Sequence, residues 1–362
     1  KTVSAKTLWV KLIQNRVETG EPYIMYKDTV QNALPEYQKD MGLTVHHSNL
    51  CSEITLPTDK DRTAVCCLSS VNLEEYDEWC NDDQFIPDLI RMLDNVLTYF
   101  IDKAPPELYR AVFSAENERS LGLGAMGFHA YLQRQDIAFE SMWASSANHK
   151  MFSHIKSEAT RATKQLAKER GECPDGKGHG VRNAHLLAVA PNASSSIICG
   201  NTSPSIEPYR ANAFTQKTKS GSSLLKNEYL EHLLQEIGMD TDEVWKSIMT
   251  NGGSVQHLEF LDDHAKEVFK TGVEIDQRWV IQHAADRQQY ICQSQSLNVF
   301  FPANVSKQEL HAIHMMAWKK KVKTLYYLRS EAMKRAENVS DEALRKYITD
   351  SIDENACLAC EG

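Results

Sequence analysis

Four short apolar runs, Ile54-Thr55-Leu56, Leu186 to Ala190, Leu297 to Phe301 and Val322 to Leu328, punctuate a chain whose other apolar residues recur at helical spacing. Each run has the length of a strand and reads as a buried one. Between them Leu89, Ile90, Leu93, Val96, Leu97 and Phe100 predict an amphipathic helix that ends before Ala104-Pro105-Pro106. A second long helix is predicted from near Ser145 to Arg170. Phe152, Ile155, Ala159, Ala162 and Leu166 form its buried side and Gly171 its stop. Further helices fit Asp242 to Met249, Asp276 to Cys292 and Lys307 to Ala317. Strands alternating with helices of this length predict an α/β fold with a parallel or mixed sheet, open or closed into a barrel.

With 362 residues, 42% hydrophobic and 25% charged, the chain can bury a sizeable core, which excludes a short module or disorder throughout. No repeat or Gly/Ser-rich linker divides it, so one continuous domain is expected. Lys and Arg number 40 against 49 Asp and Glu, a formal charge of −9 that argues against a surface built to hold nucleic acid or anionic lipid. A local basic pocket is compatible with it. No apolar run approaches the roughly eighteen residues of a membrane span, and the opening KTVSAKTLWVKLI lacks the layout of a signal peptide. A cytoplasmic protein with neither membrane nor nucleic acid as partner is the expectation. The nine cysteines are odd in number, and several sit in apolar stretches such as Val65-Cys66-Cys67-Leu68, so reduced thiols are expected.

Ser48-Asn49-Leu50-Cys51-Ser52-Glu53-Ile54 alternates, which would turn Asn49, Cys51 and Glu53 to one side of an extended backbone. An amide can orient a hydroxyl, a carboxylate can take its proton, and a thiol can act as nucleophile or hydrogen-atom donor. A polar-faced edge strand would show the same alternation. Leu186 to Pro191 leads into Asn192-Ala193-Ser194-Ser195-Ser196, a strand feeding a Ser-rich helix start that suits a phosphate or simply an N-cap. Gly122, Gly124 and Gly127 have dinucleotide-loop spacing, but Glu116-Asn117-Glu118-Arg119 precedes them rather than a strand, which favours close helix packing. Tyr326-Tyr327 would face opposite sides of a strand, or both join the core. The terminal Cys357-Leu358-Ala359-Cys360 has no second ligand pair nearby, so thiol–disulfide exchange is expected there and a zinc site is not. Cys67, Cys80, Cys199 and Cys292 are read as packing residues.

Asn49-Leu50-Cys51-Ser52-Glu53, Pro191 to Ser196, Lys323-Thr324-Leu325-Tyr326-Tyr327 and the terminal C-x-x-C stand in that order. In this the chain resembles the C-terminal half of the catalytic large subunit of class I ribonucleotide reductase, from about Thr19-Gly20-Glu21-Pro22-Tyr23-Ile24 onward. The resemblance implies the second half of a ten-stranded α/β barrel over residues 1–348, with a central finger loop and a flexible redox tail over 349–362. It implies reduction of ribonucleoside diphosphates to deoxyribonucleoside diphosphates. Cys51 would be the finger-loop thiyl radical, Glu53 the base at the 3′ hydroxyl and Asn49 the amide that holds it. Cys66 would be one of the reducing cysteine pair, with Cys67 standing where a non-cysteine is expected. Pro191, Asn192, Ala193, Ser194 and Ser195 would bind the substrate diphosphate, with Ala193 where some relatives carry Glu.

By the same resemblance Tyr326 and Tyr327 would relay an oxidising equivalent from a metal-containing, radical-generating small subunit, with no cofactor or metal bound in this chain. Cys357 and Cys360 would re-reduce the site and be restored by thioredoxin or glutaredoxin. The family's N-terminal half, with the second cysteine of the reducing pair and the effector sites, is missing, so a complementary N-terminal polypeptide is an expected partner. The competing readings are a cobalamin-dependent reductase of the same superfamily, which needs no tyrosine relay, and a catalytically silent assembly partner.

Overall fold

The computed structural model describes residues 2–218, 221–302 and 304–330. The predicted tail 349–362, with Cys357 and Cys360, lies outside the described residues. Eight strands are present among those described. They are β1 (Ile24–Met25), β2 (Cys67–Asn72), β3 (Leu121–Met126), β4 (Ala213–Thr218), β5 (Gly221–Lys226), β6 (Val299–Phe301), β7 (Thr324–Leu325) and β8 (Leu328–Ser330).

Five neighbouring segments run in parallel. β2 pairs with β3 from Cys67↔Leu121 to Asn72↔Met126. Leu123 of β3 bridges Leu187, and Val189 bridges Gln295, both in parallel. The segment through Gln295 continues into β6, which pairs in parallel with β8. Parallel neighbours require long crossovers, and helices occupy them. The predicted sheet is therefore parallel, with β1 added antiparallel on β7. Among the described residues β2 pairs only with β3, and β8 only with β6, so the row of strands ends at β2 and β8.

The helices follow their periodicity closely. The first long one spans Phe85–Lys103, burying Ile86, Ile90, Leu93 and Leu97, and Ala104 caps it in extended conformation before the two prolines. It packs against the helix Met142–Arg170, which Ser141 caps at its start and Gly171 ends. Helices Asp242–Thr250 and Lys307–Lys319 also match their prediction. The helix predicted from Asp276 to Cys292 is shorter, Gln277–Gln288, because the chain must leave it to reach the parallel row at Gln293 to Gln295. No helix among the described residues is long and apolar enough to cross a membrane.

The predicted strands fare less evenly. Leu297 to Phe301 yields β6, while Val322 to Leu328 is broken into β7 and β8. Leu186 to Ala190 joins the row through single bridges, and Ile54-Thr55-Leu56 is no strand at all. Its apolar side chains instead pack Ile54 and Leu56 against Ala188, beneath a loop. Gly122 and Gly124, expected to serve helix packing, lie inside β3. A Cβ on Gly124 would sit 2.5 Å from the Ala188 carbonyl oxygen, so the missing side chain lets two strands approach.

One large core, containing Val71, Leu123, Val189, Leu297, Val299 and Leu325, backs this row of strands. A second core around Leu230, Leu234, Trp245 and Ile248 lies under the β4–β5 hairpin, apart from the chemistry described next.

Candidate active site

A loop closes on itself where Thr58 N–H donates to the Thr44 carbonyl at 3.1 Å, and Cys51 stands near its tip. Asn49 to Ser52 is a turn, with Ser52 N–H on the Asn49 carbonyl at 3.2 Å and Ser52 at φ +70°. The extended alternation predicted for this stretch is therefore absent, and Asn49, Cys51 and Glu53 are not presented together on one face. The Asn49 Oδ1 accepts from Ile54 N–H at 3.1 Å, which uses this side of the amide to staple the turn.

The loop is laid along the segment Gln293 to Ser296. Gln293 Oε1 accepts from Thr55 N–H, and the Glu53 carbonyl accepts from Ser294 N–H. Ser296 Oγ stands 2.5 Å from the Cys51 carbonyl and 3.0 Å from Glu53 Oε2, and Glu53 itself is buried. The bonds to Thr55 N–H and to the Glu53 carboxylate are buried, where a lost partner is costly.

Cys51 opens onto a cavity of about 630 Å³ that Pro191, Asn192, Ala193, Ser194 and Ser195 also line. Pro191 and Asn192 lead into the short helix Ala193–Ile198, whose first N–H groups have no intrahelical acceptor. Asn192 takes φ +57° at its start, and its side-chain amide hydrogen-bonds Ser70 Oγ of β2 at 3.0 Å. Ser194 and Ser195 are exposed to the cavity side. Asn49, Glu53, Cys66 and Tyr327 are not among its lining residues.

Tyr326 lines the same cavity, and its phenol donates to Cys51 Sγ at 3.6 Å. Its backbone carbonyl is held by buried Arg16 at 3.0 Å. Tyr326 and Tyr327 fall between β7 and β8 rather than within a strand, and their rings touch at a tilt of 55° with centroids 4.3 Å apart. The expected opposite facing is thus replaced by ring contact. Tyr23 completes a cluster of three phenols, 4.6 Å from the Tyr326 ring and 5.0 Å from that of Tyr327. Burial, and then the hydrogen bond to Cys51, push the Tyr326 hydroxyl well above the ordinary phenol range. It stays protonated, so losing an electron there means losing a proton too.

Cys66 lies off the cavity. Gln293 Nε2 donates to its sulfur at 3.4 Å, and Ile54, Leu56 and Ala188 pack nearby. Burial drives its thiol pKa far up. Cys199, read as a packing residue, is instead exposed and lines the cavity. The seven described cysteines form no disulfide.

The sequence reading missed Glu207, Arg210, Asn298 and Arg329, which also line the cavity. Asn298 Nδ2 donates to Glu207 Oε1 at 2.7 Å. Burial raises the Glu207 carboxyl to about 7 against the opposing pull of Arg329 and Arg210. Arg329 also lies over the Tyr327 ring, 4.3 Å from its centroid. Glu207 and Arg210 flank Pro208-Tyr209 just after the Ser-rich turn, a charged pair in an apolar setting that was the available clue. Among the described residues no group of three or more His, Cys, Asp or Glu is arranged to hold a metal.

The family model described as ribonucleotide reductase, barrel domain, matches residues 1–178 and 174–328. The ribonucleoside-diphosphate reductase large subunit of Invertebrate iridescent virus 3 is 49% identical over 365 residues, covering 100% of this chain and 58% of the relative. The large subunit of Caenorhabditis elegans is 32% identical over 409 residues, covering 100% of this chain and 51% of the relative. The solved alpha subunit of an Actinobacillus ureae class Id ribonucleotide reductase superposes with a TM-score of 0.85 at 44% identity, over 90% of this chain and 61% of that one. The chain thus spans between about half and three fifths of these relatives.

Proposed function

The chain belongs to the ribonucleotide reductase barrel family, and from that membership we propose that it carries the radical and substrate-phosphate half of a ribonucleoside-diphosphate reductase site. One observation carries the reading: the Cys51 sulfur shares a cavity with the Ser-rich helix start and lies 3.6 Å from the Tyr326 phenol. A small subunit would supply the oxidising equivalent. Tyr327, Tyr23 and Tyr326 offer it contiguous phenols toward Cys51. At the last step an oxidised Tyr326 takes the hydrogen atom from the Cys51 thiol, restoring the phenol O–H and leaving a thiyl radical. That radical takes the 3′ hydrogen of the ribose, and loss of the 2′ hydroxyl as water follows.

The N–H groups and hydroxyls at Ala193, Ser194 and Ser195 suit the diphosphate, since a helix start favours an anion. Glu53 serves as the base at the 3′ hydroxyl and Asn49 as its support. For both roles substrate must draw the side chains from their present bonds to Ser296 and Ile54 N–H. Cys66 is assigned to the reducing pair, with its partner cysteine on a complementary N-terminal half. The two ends of the parallel row, β2 and β8, are where further strands of that half could add. The Cys357/Cys360 dithiol would return electrons from thioredoxin or glutaredoxin.

The test is to combine the chain with a complementary N-terminal half and a radical-generating small subunit and measure deoxyribonucleoside diphosphate formation. Product that depends on all three components is expected. A requirement for adenosylcobalamin instead, or no product from a folded assembly, would overturn the proposal.

A further inference from the structure

Cys292 lies at the end of the turn that follows the helix Gln277–Gln288, on the wall of a cavity of about 530 Å³ separate from the one that Cys51 lines. Its sulfur accepts two backbone N–H groups, from Leu186 at 3.1 Å and Leu187 at 3.2 Å, and its thiol donates to the Leu187 carbonyl at 3.5 Å. Paired N–H donors of this kind form an anion-holding concavity. His185 stands beside them, fully buried, with Nε2 on Gln38 Oε1 at 2.9 Å. Its Nδ1 has no hydrogen-bond partner among the described residues, and the imidazole acts electrostatically on the Cys292 sulfur. Cys292 is therefore one member of a thiol–imidazole–amide arrangement rather than an isolated thiol.

Burial alone would raise the Cys292 pKa. The His185 imidazole, the Lys156 charge and the Leu186 N–H outweigh it and bring the thiol down to about 5. The titratable groups whose charges act on the sulfur are His185, Lys156, Lys323, Tyr37 and Cys66, and Glu118 acts on His185. Lys323 is itself anchored to the carbonyls of Cys292 and Gln293. The cavity mouth carries Lys321 and Lys156, and an adjoining surface hollow adds Arg161 and Lys164.

We infer that Cys292 is a reversible S-thiolation site for small anionic disulfides of the glutathione class, which the lysine-lined cavity delivers to a sulfur held ready by His185 and two N–H groups. The Cys292 thiolate attacks one sulfur of the disulfide, forming a new S–S bond as the old one breaks. The departing thiolate takes a proton from water. Cys292 is oxidised, half of the small disulfide is reduced, and excess thiol reverses the exchange. The next residues, Gln293 to Ser296, bond Cys66, Glu53 and Cys51, so the modification falls where the finger loop is held. This inference stands apart from the proposed reductase activity, because it needs no nucleotide chemistry.

The full chain is treated with glutathione disulfide between pH 5.5 and 8, and mixed disulfides are mapped by peptide mass. A thiol of ordinary pKa slows by about tenfold per unit below about pH 8.5, whereas Cys292 should hold its rate nearly constant down to about pH 6. At pH 5.5 it should lead by on the order of tenfold, its lower intrinsic nucleophilicity included. Glutathione disulfide should outpace cationic cystamine at Cys292, and Lys321→Ala, which removes a cavity lysine that does not set the thiol's pKa, should shrink that preference while leaving reaction with uncharged 2-hydroxyethyl disulfide unchanged. Cys292 unmodified at pH 5.5, or cystamine as fast as glutathione disulfide on the unsubstituted chain, overturns the inference.

Discussion

The phenol of Tyr326 donates to the sulfur of Cys51 at 3.6 Å, although 275 residues of sequence separate them. Two devices hold that contact. Arg16 fixes the backbone of Tyr326, and Ser296 lies against the loop that carries Cys51.

Tyr326→Phe removes only the hydroxyl and keeps the ring in contact with Tyr23 and Tyr327. In the complete assembly it should lower deoxyribonucleotide formation by about 10²–10⁴-fold or more, on the scale of lost proton-transfer groups. Thermal unfolding should be nearly unchanged. Turnover equal to the parent enzyme would remove the relay role.

Ser296→Ala deletes the hydroxyl between the Cys51 carbonyl and the Glu53 carboxylate and removes one hydrogen bond from each. It should cost about 1–3 kcal/mol of stability, measured by denaturant unfolding. Turnover should fall further than unfolding alone explains, because the loop tip loses its tether.

Glu207→Gln tests the buried carboxyl opposite the Ser-rich helix. The folded-state value of about 7 lies above the roughly 4.3 of an unfolded Glu, so the folded chain keeps a proton that the unfolded chain has released. This contribution to stability is fully present below about pH 4 and is lost as pH rises toward 7. Denaturant midpoints measured from pH 4 to 8 should show that decline in the parent chain and a flatter profile in Glu207→Gln. Identical slopes would contradict it.

The helices were the legible part of the fold, since a buried stripe such as Ile86, Ile90, Leu93 and Leu97 imprints its period on the sequence whatever it packs against. β3 was illegible because Gly122 and Gly124 carry no strand propensity; their use is to let Ala188 and Leu68 approach. Ile54 and Leu56 misled in the opposite sense, being apolar enough for a strand yet buried under a loop. At the site, the order of motifs pointed to Cys51, Tyr326 and the Ser-rich turn as one machine. Their shared cavity depends on long-range folding that periodicity cannot encode. The Tyr326–Tyr327 ring contact was missed because opposite facing holds only inside a strand, and the chain is irregular there. Cys292 read as a packing residue because the N–H groups and His185 that surround it come from about a hundred residues upstream.

The most direct measurement is single-turnover product formation by Cys51→Ser in the assembled enzyme, with substrate binding measured alongside. The account predicts no deoxyribonucleotide and near-normal substrate affinity, because a serine hydroxyl keeps the shape and cannot serve as the radical. Product at the parental rate would contradict it.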